Sequence, residues 1–123
     1  MKVEVRWSVE EGVMLISAQD VILEDAESVR EFKEAILPAL QARNEKVPLV
    51  ICIDGMTIRP CAAQLYGEAA REIVSYATAF ARYGKPGTVQ MVIAAEAMRN
   101  HLNPNIFDNR AEAVRYVRAA RAK

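Results

Sequence analysis

The chain is poor in the residues that usually carry chemistry. Its 123 residues include one histidine, His101, and two cysteines, Cys52 and Cys61. One histidine cannot build a metal centre when the carboxylates nearest to it in sequence, Glu96 and Asp108, lack ligand spacing. The cysteines show no C-x-x-C spacing, so neither a structural disulfide nor a zinc site is expected. Charge of one sign is also missing. Sixteen basic residues meet sixteen acidic ones, which argues against a nucleic-acid footprint. The one basic concentration, Arg115, Arg118, Arg121 and Lys123, fits the C-terminal end of a last helix. The N-terminal MKVEVRWSVEEG carries a charge every second or third residue and reads as neither signal peptide nor membrane span, so a cytoplasmic protein is expected. No repeat, low-complexity tract or long linker divides the chain. Its length suits one domain that buries about two-thirds of its unfolded surface. No cofactor is implied.

What is present centres on Pro48 to Ala63, PLVICIDGMTIRPCAA. Leu49 to Ile53 has no polar alternation and reads as a central strand buried on both faces. Asp54-Gly55 ends it. Pro60 suits the first turn of a helix and places Cys61 near the positive end of that helix. Open α/β sheets place functional groups at such junctions.

Upstream, Val3, Val5, Trp7 and Val9 alternate with polar residues, and a turn at Glu10-Glu11-Gly12 leads to Val13–Ala18, which predicts a hairpin with its first strand at a sheet edge. Gln19 to Leu23 fits either an extension of that strand or a loop. Asp25 predicts an N-cap for a helix to about Arg43, with Val29, Phe32, Ile36 and Leu40 on one face and Pro38 expected to kink or shorten it. Downstream of the central strand, an alanine-rich stripe predicts a long helix from Pro60 to Tyr83, ended by Gly84-Lys85-Pro86-Gly87. Thr88 to Ala94 reads as a buried strand and Ala95 to Leu102 as a short helix. Ile106-Phe107 fits a terminal strand. Asn109 and Glu112 predict a capping box for a last helix that buries Ala113, Val114 and Val117. The fold class expected is α/β: a mixed, mainly parallel sheet of four to five strands with four helices packed on it, as a single domain over 1–123.

This order, with Ile53-Asp54 closing a hydrophobic strand before a loop-to-helix turn, resembles the STAS domain (sulfate transporter and anti-sigma-factor antagonist). The likeness is to its divergent SpoIIAA-like branch, related in fold to lipid-binding CRAL-TRIO domains. The late segment Asn105 to Ala113, NIFDNRAEA, is similar to the family's closing pattern of a short strand ending in an aromatic residue, then a capped helix. The resemblance implies a non-catalytic regulatory or scaffolding module. It also implies a serine, phosphorylated by a partner kinase, where the loop after Asp54 meets the next helix. Here Gly55 to Cys61 contains no serine, and Thr57 is its only hydroxyl.

Four residues are therefore candidates for a partner-binding or regulatory site: Asp54, Thr57, Arg59 and Cys61. Asp54 suits a cation or partner contact, although an Asx-type turn is the favoured reading. Cys61 has the helix end and Arg59 to lower its pKa, but no base accompanies it, and a small packing residue is the favoured reading. Glu68 and Glu72 lie one turn apart and read as a solvated face. Met56, Met91 and Met98 read as core filler. Trp7 would favour a homodimer if exposed on the edge strand. The functional expectation is a protein-interaction module with a protein partner and no enzymatic activity. A small apolar ligand or lipid, and a thiol enzyme centred on Cys61, are the alternatives.

Overall fold

A computed structural model describes residues 1–121. The elements are β1 (Lys2–Ser8), β2 (Val13–Gln19), β3 (Val21–Leu23), α1 (Ala26–Gln41), β4 (Val47–Cys52), β5 (Met56–Ile58), a 3₁₀ turn (Pro60–Ala62), α2 (Ala63–Val74), β6 (Ala77–Tyr83), α3 (Thr88–Arg99), β7 (Ile106–Phe107) and α4 (Arg110–Arg121). Lys123, grouped above with the basic tail, lies outside the described residues.

Five strands form one sheet in the order β1-β2-β4-β6-β7, with β4 at its centre. β1 pairs antiparallel with β2, and every other pair is parallel. Each parallel step is bridged by a helix, as the length of a crossover requires. The fold is the mixed, mainly parallel α/β sheet with four helices that the sequence predicts. A second ribbon, β3 with β5, sits beside it. Gln19 extends β2 by one residue, but Val21–Leu23 is neither strand extension nor loop: Asp20, at a left-handed φ of 54°, bends the chain and releases these residues to pair elsewhere.

The helices divide the core in two. Met14, Ile16, Leu49 and Ile51 face α1, α2 and α3 and belong to the larger cluster with Phe32, Ile36, Tyr66 and Ile93. The residues between them in register, Val13, Leu15 and Val50, with Ala81, face α4 and pack on Ala113, Val114 and Val117. The alternate-face geometry of a strand produces this division, and it explains why β4 has no polar alternation. Pro48 is tolerated in a central strand because the register with β6 shifts between Val47 and Pro48.

Two assignments differ from expectation. The helix expected to run to Tyr83 stops at Val74, and Ala77–Tyr83 is a strand. Its sequence, ATAFARY, alternates: Ala79 and Ala81 point to the α4 side, where small side chains allow close packing, while Phe80 joins the other face. Thr88–Ala94, expected as a strand, is the first half of α3. The exposed face of α3 is apolar, with Met91 and Met98 more than two-thirds exposed, and this masks the helical period. Met91 and Met98 are therefore not core filler; Met56 is buried.

The termini of the other elements follow local chemistry. Asp25 caps α1 through a reciprocal box: the Ser28 amide donates to Asp25 Oδ1 at 2.8 Å, and the Asp25 amide donates to Ser28 Oγ at 3.1 Å. Pro38 does not shorten the helix, which continues to Gln41. The Glu112 amide donates to Asn109 Oδ1 at 2.9 Å, so Asn109 caps α4. Trp7 on the edge strand is half-buried, with the Arg43 guanidinium 4.3 Å from its ring centre.

An ion pair between Arg110 and Glu11 ties the start of α4 to the hairpin turn. The hydrogen bond from Arg110 holds the Glu11 carboxyl below its ordinary range, against the opposing effect of desolvation. The folded pKa is depressed, so this contribution is present above the ordinary glutamate value of about 4.3 and fades as pH falls through the lowered value. Arg110→Met should therefore lower stability near neutral pH by no more than ~1 kcal/mol, because the Arg110 side chain is 42% exposed and solvent screens the pair. The gap from wild type in urea titrations should narrow as pH falls below the ordinary glutamate value and on through the lowered one.

Candidate functional site

The parallel strands β2, β4 and β6 deliver their C-terminal ends to one rim, with Ser17 opposite Cys52 and Cys52 opposite Tyr83. The loops that follow these strands collect there. At the end of β4, Asp54-Gly55 forms a tight turn closed by the Met56 amide donating to the Ile53 carbonyl at 3.2 Å. Gly55 is wedged against the end of β2, and the Val21 amide donates to its carbonyl at 3.0 Å. The exposed Asp54 makes more than a local turn. Its Oδ1 accepts from the Lys85 amide at 2.7 Å, 31 residues away, and fixes the loop that leads into α3. A Cβ at Gly84 would lie 2.7 Å from Cγ1 of the buried Ile53 and 2.9 Å from the same oxygen, so one of these side chains would have to shift to admit it.

The four candidate residues occupy one rim but divide into two pairs. Asp54 and Thr57 line a shallow cavity of about 380 Å³ with Lys85, Pro86, Gly87 and Thr88. Thr57 is exposed, yet it lies in the middle of β5 opposite Ile22 rather than at a helix start. Arg59 and Cys61 lie on the other side of the turn. The Arg59 amide donates to Leu23 at 2.9 Å, and Cys61 Sγ donates to the Glu24 carbonyl at 3.4 Å. Cys61 is exposed, which corrects its reading as a packing residue: the Pro60 turn faces it outward toward the β3–α1 connection. Neither a histidine nor a carboxylate is among the hydrogen-bond partners of its thiol. His101 is exposed in the loop after α3, as expected, and Glu72 pairs with Lys33 at 3.0 Å on a solvated face. Among the described residues no group of three or more His, Cys, Asp or Glu is placed to hold a metal, and no helix is long and apolar enough to cross a membrane.

Behind the rim, Cys52 lies beside Tyr83. Burial, then the neighbouring Cys52, push the Tyr83 phenol up to about 12, so it stays protonated across the physiological range.

A second cavity, of about 360 Å³, opens between α2, β6, α3 and the loop Leu102–Asn105. It is largely apolar but contains two buried charged residues, Arg82 and Glu96. The sequence pattern marks neither as a buried charge: it puts Arg82 near the end of a long helix and gives Glu96 no partner. The alternation in ATAFARY carried the signal: an arginine in phase with Phe80 points toward the core.

In architecture this is a SpoIIAA-like fold of the STAS type. It superposes on the anti-sigma factor antagonist SpoIIAA in its unphosphorylated form with a TM-score of 0.62 at 18% identity, covering 96% of this chain and 97% of that one. A structure of SpoIIAA in its phosphorylated form, described as a Bacillus cell fate determinant, gives a TM-score of 0.57 at 17% identity over 94% of this chain and 99% of that one. No protein-family model and no curated protein sequence matches the chain.

Proposed function

We propose that the protein is a non-enzymatic regulatory module that binds a protein partner through the rim formed by Asp54, Thr57, Arg59 and Cys61. The observation that carries this reading is the end-to-end agreement with an anti-sigma factor antagonist, with an exposed strand-loop-helix junction at the rim. The rim suits recognition better than reaction. Asp54 joins the two loops through the Lys85 amide, while Thr57 on one side of the turn and Arg59 and Cys61 on the other offer an exposed hydroxyl, a cation and a soft apolar atom along the rim. Among the described residues the thiol hydrogen-bonds a backbone carbonyl and no base that would activate it. The stretch in which the STAS resemblance implies a phosphorylated serine, Gly55 to Cys61, contains no serine, which supports a partner held by standing contacts rather than by an added phosphate.

Replacing Thr57, Arg59 and Cys61 together by alanine leaves the core untouched, and all three are exposed. Affinity capture with the triple variant should lose a partner that the wild-type protein retains, by at least about tenfold, with an unchanged melting temperature. Equal recovery from both baits would remove this surface from consideration.

A further inference from the structure

We propose that the cavity between α2, β6 and α3 binds a small apolar molecule carrying one carboxylate, anchored by Arg82. Arg82 is only 5% exposed, and none of the ion pairs among the described residues includes it. Its Nε donates to the Tyr66 hydroxyl at 3.3 Å and its Nη1 to the Pro104 carbonyl at 2.7 Å. Its Nη2 has no hydrogen-bond partner among the described residues, and the guanidinium lies 5.1 Å from the Phe80 ring centre. Neutral acceptors and a ring face offset part of the cost of burying the cation; the counter-charge is missing.

Glu96 does not supply it. It lines the same cavity, but its Oε2 pairs with Arg99 at 2.9 Å and its Oε1 accepts from Asn100 at 3.1 Å. The acidic wall is thus satisfied by its own partners on α3, and the basic wall is left open. An arginine presents donors in a planar fork that matches a carboxylate, so a carboxylate is the group the fork suits. Ala70, Val74, Ile93, Ala97 and Leu102 make most of the remaining wall apolar; Arg71, which donates to Asn100 Oδ1 at 3.2 Å, and Asn103 and Asn105 are its other polar members. At ~30 Å³ per water-sized group, 360 Å³ holds roughly a dozen non-hydrogen atoms, a carboxylate on a chain or ring of roughly eight to ten carbons. This site is separate from the partner rim, and neither reading depends on the other.

The test is calorimetric titration of the full chain with sodium decanoate, decanol and decylamine, with melting temperatures measured in parallel. Decanoate should bind roughly tenfold or more tightly than decanol and raise the melting temperature, and decylamine should not bind. Arg82→Met should weaken decanoate at least about tenfold and leave decanol unchanged. Ala97→Phe, which fills the cavity without touching the guanidinium, should abolish binding of both. Absence of decanoate binding to the wild type, equal affinity for decanoate and decanol, or undiminished decanoate binding by either variant would overturn the proposal. Should Arg82→Met fail to fold, the three-ligand series on the wild type and the Ala97→Phe variant decide it.

Discussion

Gly55→Ala should destabilise the protein by about 4 kcal/mol, a fall in Tm of roughly 15 °C. Conformational freedom is not the reason. A Cβ at this position would overlap the Ala18 carbonyl oxygen and lie 2.6 Å from the Ala18 carbonyl carbon and 2.9 Å from Gln19 Cα. All three are backbone atoms of β2, so no side-chain rotation can relieve the overlap, and one of the two turns must move. Either movement strains the hydrogen bond from Val21 to Gly55 that starts the β3–β5 ribbon. Thermal unfolding followed by circular dichroism checks the size of the effect. Amide exchange at Val21 and Met56 checks its place. A loss below about 1 kcal/mol would mean that the turn is not held as described.

Leu49→Ala should cost about 3–4 kcal/mol, and Val50→Ala only about 1–2. Both residues are buried in the central strand, at 0% and 1% exposure, so burial alone does not separate them. Their surroundings do. Leu49 enters the cluster beneath α1, α2 and α3, where cavity formation adds to the lost transfer energy because three helices and the sheet hold its walls apart. Val50 faces the single helix α4 across small neighbours, Ala81 and Ala113. One helix docked on one face can settle inward. Urea titrations of the two variants give the comparison directly; equal losses would contradict the division of the core into two unequal halves.

Much of the fold is legible in the sequence because its strongest signals are local and redundant. Asp25 precedes a clear 3–4 spacing, β4 is an unbroken apolar run between turn residues, and Asn109 with Glu112 marks α4. The failures fall where one property served two structures. Alanine is the best helix former, yet Ala79 and Ala81 are small because α4 lies close above β6. The apolar run from Val89 suggested a strand because α3 keeps methionines on its outer face. These two errors compensate: the expected strand begins at Thr88 where the real one begins at Ala77, the expected helix begins at Ala95 where the real one begins at Thr88, and the order of these elements survives with the wrong residues in it. The rim was legible because a turn pair and a proline marked it. Arg82 was not, since its meaning depends on which face of β6 it occupies and on its having no ion-pair partner among the described residues, and both are tertiary facts.

Because β1 runs antiparallel to β2, Lys2 lies opposite Gln19, at the end of β2 from which the partner loops project. Met1 therefore emerges at the same end of the sheet as the rim rather than at the opposite end. An affinity tag or fusion joined there stands in front of the surface a bait must present, and it would suppress capture in wild type and variant alike. The exposed Arg118 on α4, across the sheet from α1, α2 and α3, offers an attachment point that leaves the rim open.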